Sequence, residues 1–461
     1  MKNFKLFSPT DYRYGVDELI DYLTEESFIK YKIKVEISLL ETLYDFKICP
    51  KYVVDEVKNA SKKIKAEEIY KEEKRIKHDI RALVNVLKKY VSEKSKPFIH
   101  LAATSYDIVD TARSLMLKEA TEKVIIPDMI ELEKIFIKLA RKEKNTLQIG
   151  RTHGQHAEPI TFGFFISLYV ERWGERILKV KETKDNLKGK FSGAVGCYNG
   201  LRLIVKEVEK FEKKLTEKLN LTPSRISTQI LLPEPMVDFT HSIISSFSVL
   251  ANFSDDMRHL QRTEIGEVGE PFEKKQVGSS TMPQKRNPIN FENVKSGWKT
   301  FMPRIITSYM DQISEHQRDL TNSLSQRYIP EILVIFDSSV RRIKKITENI
   351  TVDRKNLKKN FDISRDKVIA EPLQILLSYY GHPEAHEKVR KLAMKSYQEN
   401  IPLTEIIFRD EEIKKYLKKF KPEQIEIIKN PEKYTGIADK KVEKICNLWE
   451  KKMKEIQNGK C

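Results

Sequence analysis

The sequence predicts an all-α protein, and three observations carry that prediction. In 461 residues there are only 16 glycines and 18 prolines, the two residue types that most readily interrupt a helix. Long stretches hold no proline at all: residues 51–96, 160–222 and 236–270. Apolar side chains recur at helical spacing, every fourth residue in Phe165, Tyr169, Trp173 and Ile177. Ile243, Phe247, Leu250 and Met257 follow a seven-residue pattern with Ser254 in its gap. Such stripes suit long helices packed nearly parallel in a bundle, and core packing accounts for all of them.

In chain order, residues 1–103 read as a lysine-rich helical domain. Residues 104–350 carry the longest helices and nearly every chemically unusual loop. Residues 351–461 resume as short amphipathic helices, separated by Gly381-His382-Pro383, Pro402, Pro422 and Pro431. No internal repeat or low-complexity tract is visible, and the tail from Gln457 to Cys461 is expected to fray.

Composition excludes several function classes. No run of 18 or more apolar residues occurs, so no membrane-spanning helix and no membrane partner are expected. The start, Met1-Lys2-Asn3-Phe4-Lys5-Leu6, lacks the apolar core of a secretory signal. Cys49, Cys197, Cys446 and Cys461 are scattered without CxxC spacing. That pattern argues against a zinc site or disulfide scaffold and suits a reducing, cytoplasmic location. The formal net charge of +17 raises a nucleic-acid surface. The lysines, however, interleave with glutamate, as in Lys71-Glu72-Glu73-Lys74, the arrangement of solvated helix faces. No nucleic-acid partner is expected, although a smaller inward-facing set would suit a multiply anionic substrate.

The chemistry concentrates in loops. Gly278-Ser279-Ser280-Thr281-Met282-Pro283-Gln284-Lys285-Arg286-Asn287-Pro288 gathers hydroxyls, cations and amides where two prolines exclude a continuous helix. Backbone N–H groups and a lysine in such a loop can hold a carboxylate and activate a nearby hydroxyl. Composition alone leaves an ordinary polar connector equally open. The order of residues resembles the G-S-S-x-M-P-x-K-x-N motif of the fumarase/aspartase superfamily, matched at all seven fixed positions. The resemblance implies that Ser279 is the general base at a carbon beside a carboxylate. It also implies that Lys285 and Asn287 bind that carboxylate and stabilise the negative charge developing there.

Gly150-Arg151-Thr152-His153-Gly154-Gln155-His156-Ala157-Glu158-Pro159-Ile160-Thr161-Phe162-Gly163 holds two histidines three apart. With only Glu158 nearby, a metal-ligand set is incomplete. The stretch resembles the T-H-x-Q-x-A-x-P-x-T-x-G element of the same superfamily. That resemblance makes His153 the general acid toward a leaving nitrogen, a role suited to a group titrating near neutrality. Thr152 becomes a substrate contact, while His156 is read as structural. In His100-Leu101-Ala102-Ala103-Thr104-Ser105-Tyr106-Asp107, hydroxyls and free N–H groups precede a long helix, which suits either an anion or simple capping. This segment resembles the superfamily's first motif, with Thr104 and Ser105 on a succinyl carboxylate. Ala102 stands where glycine is usual.

Further segments resemble the adenylosuccinate lyase branch: Arg13-Tyr14, Lys77-His78-Asp79, Ser227-Thr228-Gln229, and Arg318-Asp319-Leu320-Thr321-Asn322-Ser323 with Arg327. The resemblance makes Arg13, Tyr14, Ser323 and Arg327 phosphate or ribose contacts, a task suited to guanidinium and hydroxyl donors. It places His78, Asp79 and His100 around the nucleotide, and Gln229 and Arg318 on the substrate. The stretch from Arg258 to Phe272 also resembles this branch. In it, Glu264 and Glu267 are expected on one side of a helix, orienting arginines and the loop that follows. Three departures stand out: Glu315-His316-Gln317 for Trp-His-Glu, Leu232-Pro233-Glu234 for Gln-Arg-Asp, and Gln326 for glutamate.

Taken whole, the resemblance implies a three-domain, all-α, fumarase/aspartase-type fold whose long central helices form a tetrameric bundle. Each active site of the homotetramer is assembled from three chains and takes small-molecule nucleotide substrates. The implied reaction is β-elimination of fumarate, and it calls for no metal and no organic cofactor. Argininosuccinate lyase is the alternative within the superfamily, but its substrate lacks the phosphate that the arginines imply. A carboxymuconate cycloisomerase is a more distant one.

Overall fold

Stripes of apolar residues at helical spacing fold here into long helices, of which Glu234–Leu260 has 27 residues and Phe162–Asp185 has 24. The computed structural model describes residues 6–272, 281, 282 and 284–459. Tyr169, Trp173, Ile177, Ile243, Phe247, Leu250 and Met257 are all fully buried. Ser254 sits in the gap of its stripe without cost, because its hydroxyl donates to the Leu250 carbonyl at 2.8 Å.

Absence of proline does not make one helix. Residues 51–96 hold three: Lys51–Ser61, Ala66–Ile76 and Asp79–Lys89. The second ends where Lys77 takes a left-handed φ of 57°, and His78 then caps the third by accepting the Arg81 N–H at 3.3 Å. After Asp185 no α-helix resumes until Val208, across a stretch carrying Gly189, Gly193, Gly196 and Gly200. The C-terminal residues are not all short helices either, since Ala438–Gln457 runs for 20 residues. Strand is confined, among the described residues, to three two-stranded sheets.

The chain divides into two compact units, and five helices contribute residues to both. The first comprises Met1–Ile130, Glu175–Ser248 and Ser296–Arg341. In it, Glu25–Asp45 packs on Lys51–Ser61 and Ser105–Ala120, while Phe247 meets Phe336 edge-on at 5.9 Å. The second comprises Glu131–Gly174, Val249–Lys295 and Arg342–Cys461. Its core is aromatic: the Phe253 ring meets Phe136 and Tyr169 at 5.0 Å and Phe291 at 6.0 Å, all edge-on. Trp449 is fully buried beside Gly174 and donates its indole N–H to Glu171 at 2.7 Å. A separate cluster around Leu373, Leu377, Ile407 and Ile413 supports the C-terminal helices of this unit. Among the described residues no helix is long and apolar enough to cross a membrane.

Candidate active site

In the second unit, Thr152 and His153 stand on a β-hairpin. Strand Leu147–Thr152 pairs antiparallel with Gln155–Thr161, and His153-Gly154 forms the two-residue connection. Both take positive φ, 55° and 75°, the pattern of the type I′ turn that matches strand twist. A bulge that sets Ala157 and Glu158 opposite Gly150 shifts the register between Ile149 and Arg151. A side chain at Gly150 would put its Cβ 2.7 Å from the Glu158 carbonyl, so the close approach requires glycine. His156 lies on the second strand with Nδ1 2.9 Å from the Ser364 hydroxyl. Burial, and then the Arg151 cation, lower its pKa.

Arg151 leads to a residue whose role the sequence expressed only partly. Glu264 and Glu267 do not share a helix face, because the helix ends at Leu260. Glu264 is exposed, whereas Glu267 is completely buried. The Glu267 carboxylate accepts from Arg151 Nη2 at 2.5 Å, Gln148 Nε2 at 2.8 Å and Asn360 Nδ2 at 2.8 Å. Three residues on, buried Glu270 accepts the N–H groups of Asn290 and Phe291 at 2.9 and 2.8 Å and the Asn290 side-chain amide at 2.7 Å. Burial raises the pKa of Glu270 and these donors oppose the rise. Gln261 accepts the Glu270 N–H at 3.1 Å and donates to the Arg286 carbonyl at 3.2 Å. Lys285 and Asn287 flank that carbonyl; Lys285 is exposed and Asn287 half-buried. Ser279 lies outside the described residues.

In the first unit, Thr104 caps helix Ser105–Ala120, its N–H donating to the Asp107 carboxylate at 2.9 Å. Asp107 also takes the fully buried Lys190 ammonium and the Ser192 N–H at 3.1 Å. Ser192 in turn shares a 2.6 Å hydroxyl contact with Ser227, two residues before Gln229. Gln229 accepts from Arg318 Nη1 at 2.7 Å, and the Arg318 guanidinium lies 3.6 Å from the centre of the Tyr106 ring. Thr104, Ser105, Gln229 and Arg318 are thus linked through Tyr106, Asp107 and Ser192. A cleft of about 320 Å³ lies beside them, lined by Ala194, Gln229, Gln317, Arg318, Asp319 and Leu320.

A second group in this unit centres on Arg327 and Asp79, which line one pocket with Lys32 and Tyr70. Lys32 is buried, and desolvation lowers its pKa. Arg327 also borders a cavity of about 490 Å³ with Asp11 and Gly15, next to Arg13 and Tyr14 in the chain. Arg13 is exposed and Tyr14 half-buried at the end of the short helix Pro9–Tyr12. His78 adjoins Asp79 with Nδ1 3.6 Å from its carboxylate. His100 holds Nδ1 2.6 Å from the fully buried Glu36. Ser323 is half-buried, its N–H donating to Leu320 at 3.1 Å. Gln326 keeps an acceptor for Arg113 without a charge. Tyr106, Lys190, Lys32 and Glu36 carry no local sequence signal: each is an ordinary residue on a helix or connecting segment until its partner is known.

Residues 13–300 match a family model described as "Lyase", and residues 314–425 match "Adenylosuccinate lyase C-terminal". Two solved structures share the fold. The fumarate lyase from Mesorhizobium sp. BNC1 gives a TM-score of 0.83 at 21% identity, over 94% of this chain and 98% of that one. The 3-carboxy-cis,cis-muconate lactonizing enzyme from Pseudomonas putida gives 0.83 at 22%, over 96% and 99%. The family model over residues 13–300 places the chain among the lyases. Among curated relatives, the adenylosuccinate lyase of Pyrococcus abyssi is 37% identical over 96% of this chain and 98% of its own length. That of Methanocaldococcus jannaschii is 35% identical over 95% of both, and that of Bacillus subtilis 33% over 87% and 92%. The chain belongs to the adenylosuccinate lyase family.

Proposed function

We propose that this protein eliminates fumarate from adenylosuccinate, leaving AMP, and from the succinylated aminoimidazole-carboxamide ribotide of purine synthesis, leaving the carboxamide. The observation that carries this reading is near full-length likeness to adenylosuccinate lyases, with every acid, base and carboxylate-binding candidate present in the sequence. In the proposed step Ser279 takes the succinyl Cβ proton, the C–N bond breaks as the fumarate double bond forms, and His153 protonates the departing nitrogen. Lys285 and Asn287 stabilise the dianionic carboxylate of the intermediate. Thr104 and Ser105 offer hydroxyls, and Ser105 a helix N-terminal N–H, to the other carboxylate. Thr152, Gln229 and Arg318 contact the succinyl portion and its neighbours. His78, Asp79 and His100 line the nucleotide pocket, and Arg13, Tyr14, Ser323 and Arg327 hold phosphate and ribose. The test is fumarate release by purified protein. Adenylosuccinate is expected to be cleaved, with Ser279→Ala and His153→Ala each slower by about 10²- to 10⁴-fold. Release from argininosuccinate alone overturns the choice of substrate.

We also propose a homotetramer in which each site draws on three chains, and a cytoplasmic location. The exposed apolar side chains Ile306, Tyr309, Met310 and Ile313, within one short stretch, suit burial by a second copy. The free thiols of Cys49, Cys197 and Cys446 suit a reducing compartment. Light scattering is expected to return the mass of four chains, and Ile306→Lys with Met310→Glu to lower that mass and activity together. A monomeric, fully active wild type overturns the assembly.

A further inference from the structure

Two buried carboxylates three residues apart serve different pieces of the second unit. Glu267 binds Gln148 and Arg151 on the first strand of the hairpin, and Asn360 on the helix Arg354–Val368. Glu270 binds the first N–H groups of helix Ile289–Phe301, whose start follows Lys285 and Asn287 directly. Gln261 reaches the same loop, gripping the carbonyl between those two residues. The segment joining the carboxylates is itself held. Val268–Gly269 pairs with Thr351–Val352, the Glu267 N–H donates to Leu260 at 2.9 Å, and its carbonyl accepts from Asp353 at 2.9 Å. Three residues of extended chain span only about 10 Å.

We infer that Glu267, Glu270 and Gln261 form a bracket that sets the His153 hairpin and the Lys285–Asn287 loop in register, making them positioning residues. A buried carboxylate is a poor source of stability, because its desolvation cost offsets most of the attraction to its partners. Glu267 nonetheless satisfies three donors from two elements, and Glu270 three from one helix start. What such bonding secures is geometry, since apolar packing would tolerate sliding where directional hydrogen bonds do not. Arg151 is two residues from His153, so a displaced guanidinium moves the turn that carries the acid. The kinetic part of the inference rests on the acid and carboxylate-binding roles proposed above. The bracket itself does not.

The test pairs hydrogen–deuterium exchange with kinetics on full-length Glu267→Gln, Glu270→Gln and Gln261→Ala. Faster exchange is expected at residues 147–161 in the first variant and at residues 284–295 in the other two. Glu267→Gln is expected to lower kcat by about ten- to hundredfold with KM little changed. Gln261→Ala and Glu270→Gln are expected to raise KM by about tenfold as well, a change that loss of folded protein does not produce. Exchange that rises evenly along the chain, or nowhere, overturns the bracket. Localised exchange with unchanged rate constants on a cleaved substrate overturns its part in catalysis. If the wild type does not cleave adenylosuccinate, the substrate reading falls while the exchange pattern still decides the bracket.

Discussion

At the scale of single residues, backbone conformation singles out positions that composition leaves ordinary. His153, His100 and Ala102 all take positive φ, at 55°, 63° and 62°. Ala102 occupies a position where the family resemblance leads one to expect glycine, and the chain keeps there a conformation that glycine adopts freely. The Cβ strain of the left-handed region outweighs the entropy glycine loses on folding. Ala102→Gly is therefore expected to stabilise the protein by about 0.5 kcal/mol, read as a small rise in denaturation midpoint. A fall would mean that the methyl group packs productively. The candidate residues themselves were legible because each motif compresses its signature into about a dozen positions. Their partners were not. Arg318 on Tyr106, Asn360 on Glu267 and Lys190 on Asp107 are pairings across tens to hundreds of residues.

At the scale of elements, helices were readable and the hairpin was not. Apolar periodicity over four or more turns carries a strong signal. The hairpin Leu147–Thr161 is short, and its strands are interrupted by Gly150 and Pro159. Its only local cue was a His-Gly pair between polar residues, weaker than the Asn-Gly or Asp-Gly that favours this turn. Because the bulge leaves no room for a side chain, Gly150→Ala is expected to cost about 1–3 kcal/mol. It is also expected to lower kcat by shifting the His153 turn. Thermal melts and the fumarate assay on the same preparation check both, and an unchanged kcat would separate the bulge from catalysis.

At the scale of the whole molecule, the charge that dominates the composition is mostly surface, while a few internal carboxyls shape the pH response. Asp337 is fully buried, and desolvation, reinforced by Asp128, pushes its pKa up to about 7 against the pull of Arg341. Its folded pKa thus lies above its unfolded value. The stability it contributes is complete below about pH 4 and lost as pH rises through about 7, where the folded chain alone still binds the proton. Asp337→Asn is expected to flatten the fall in melting temperature between those limits. An identical slope in wild type and variant would remove Asp337 as its cause. The sequence by itself determined the all-α class, the order of the long helices and the candidate groups on which the proposed reaction rests, because periodicity and motif spacing are local properties. Only the tertiary structure decided which carboxylates are buried, which turn presents His153, and that Glu267 and Glu270 hold two different pieces of the second unit. Burial and hydrogen-bond partnership depend on residues brought together from distant parts of the chain, and no local pattern encodes them.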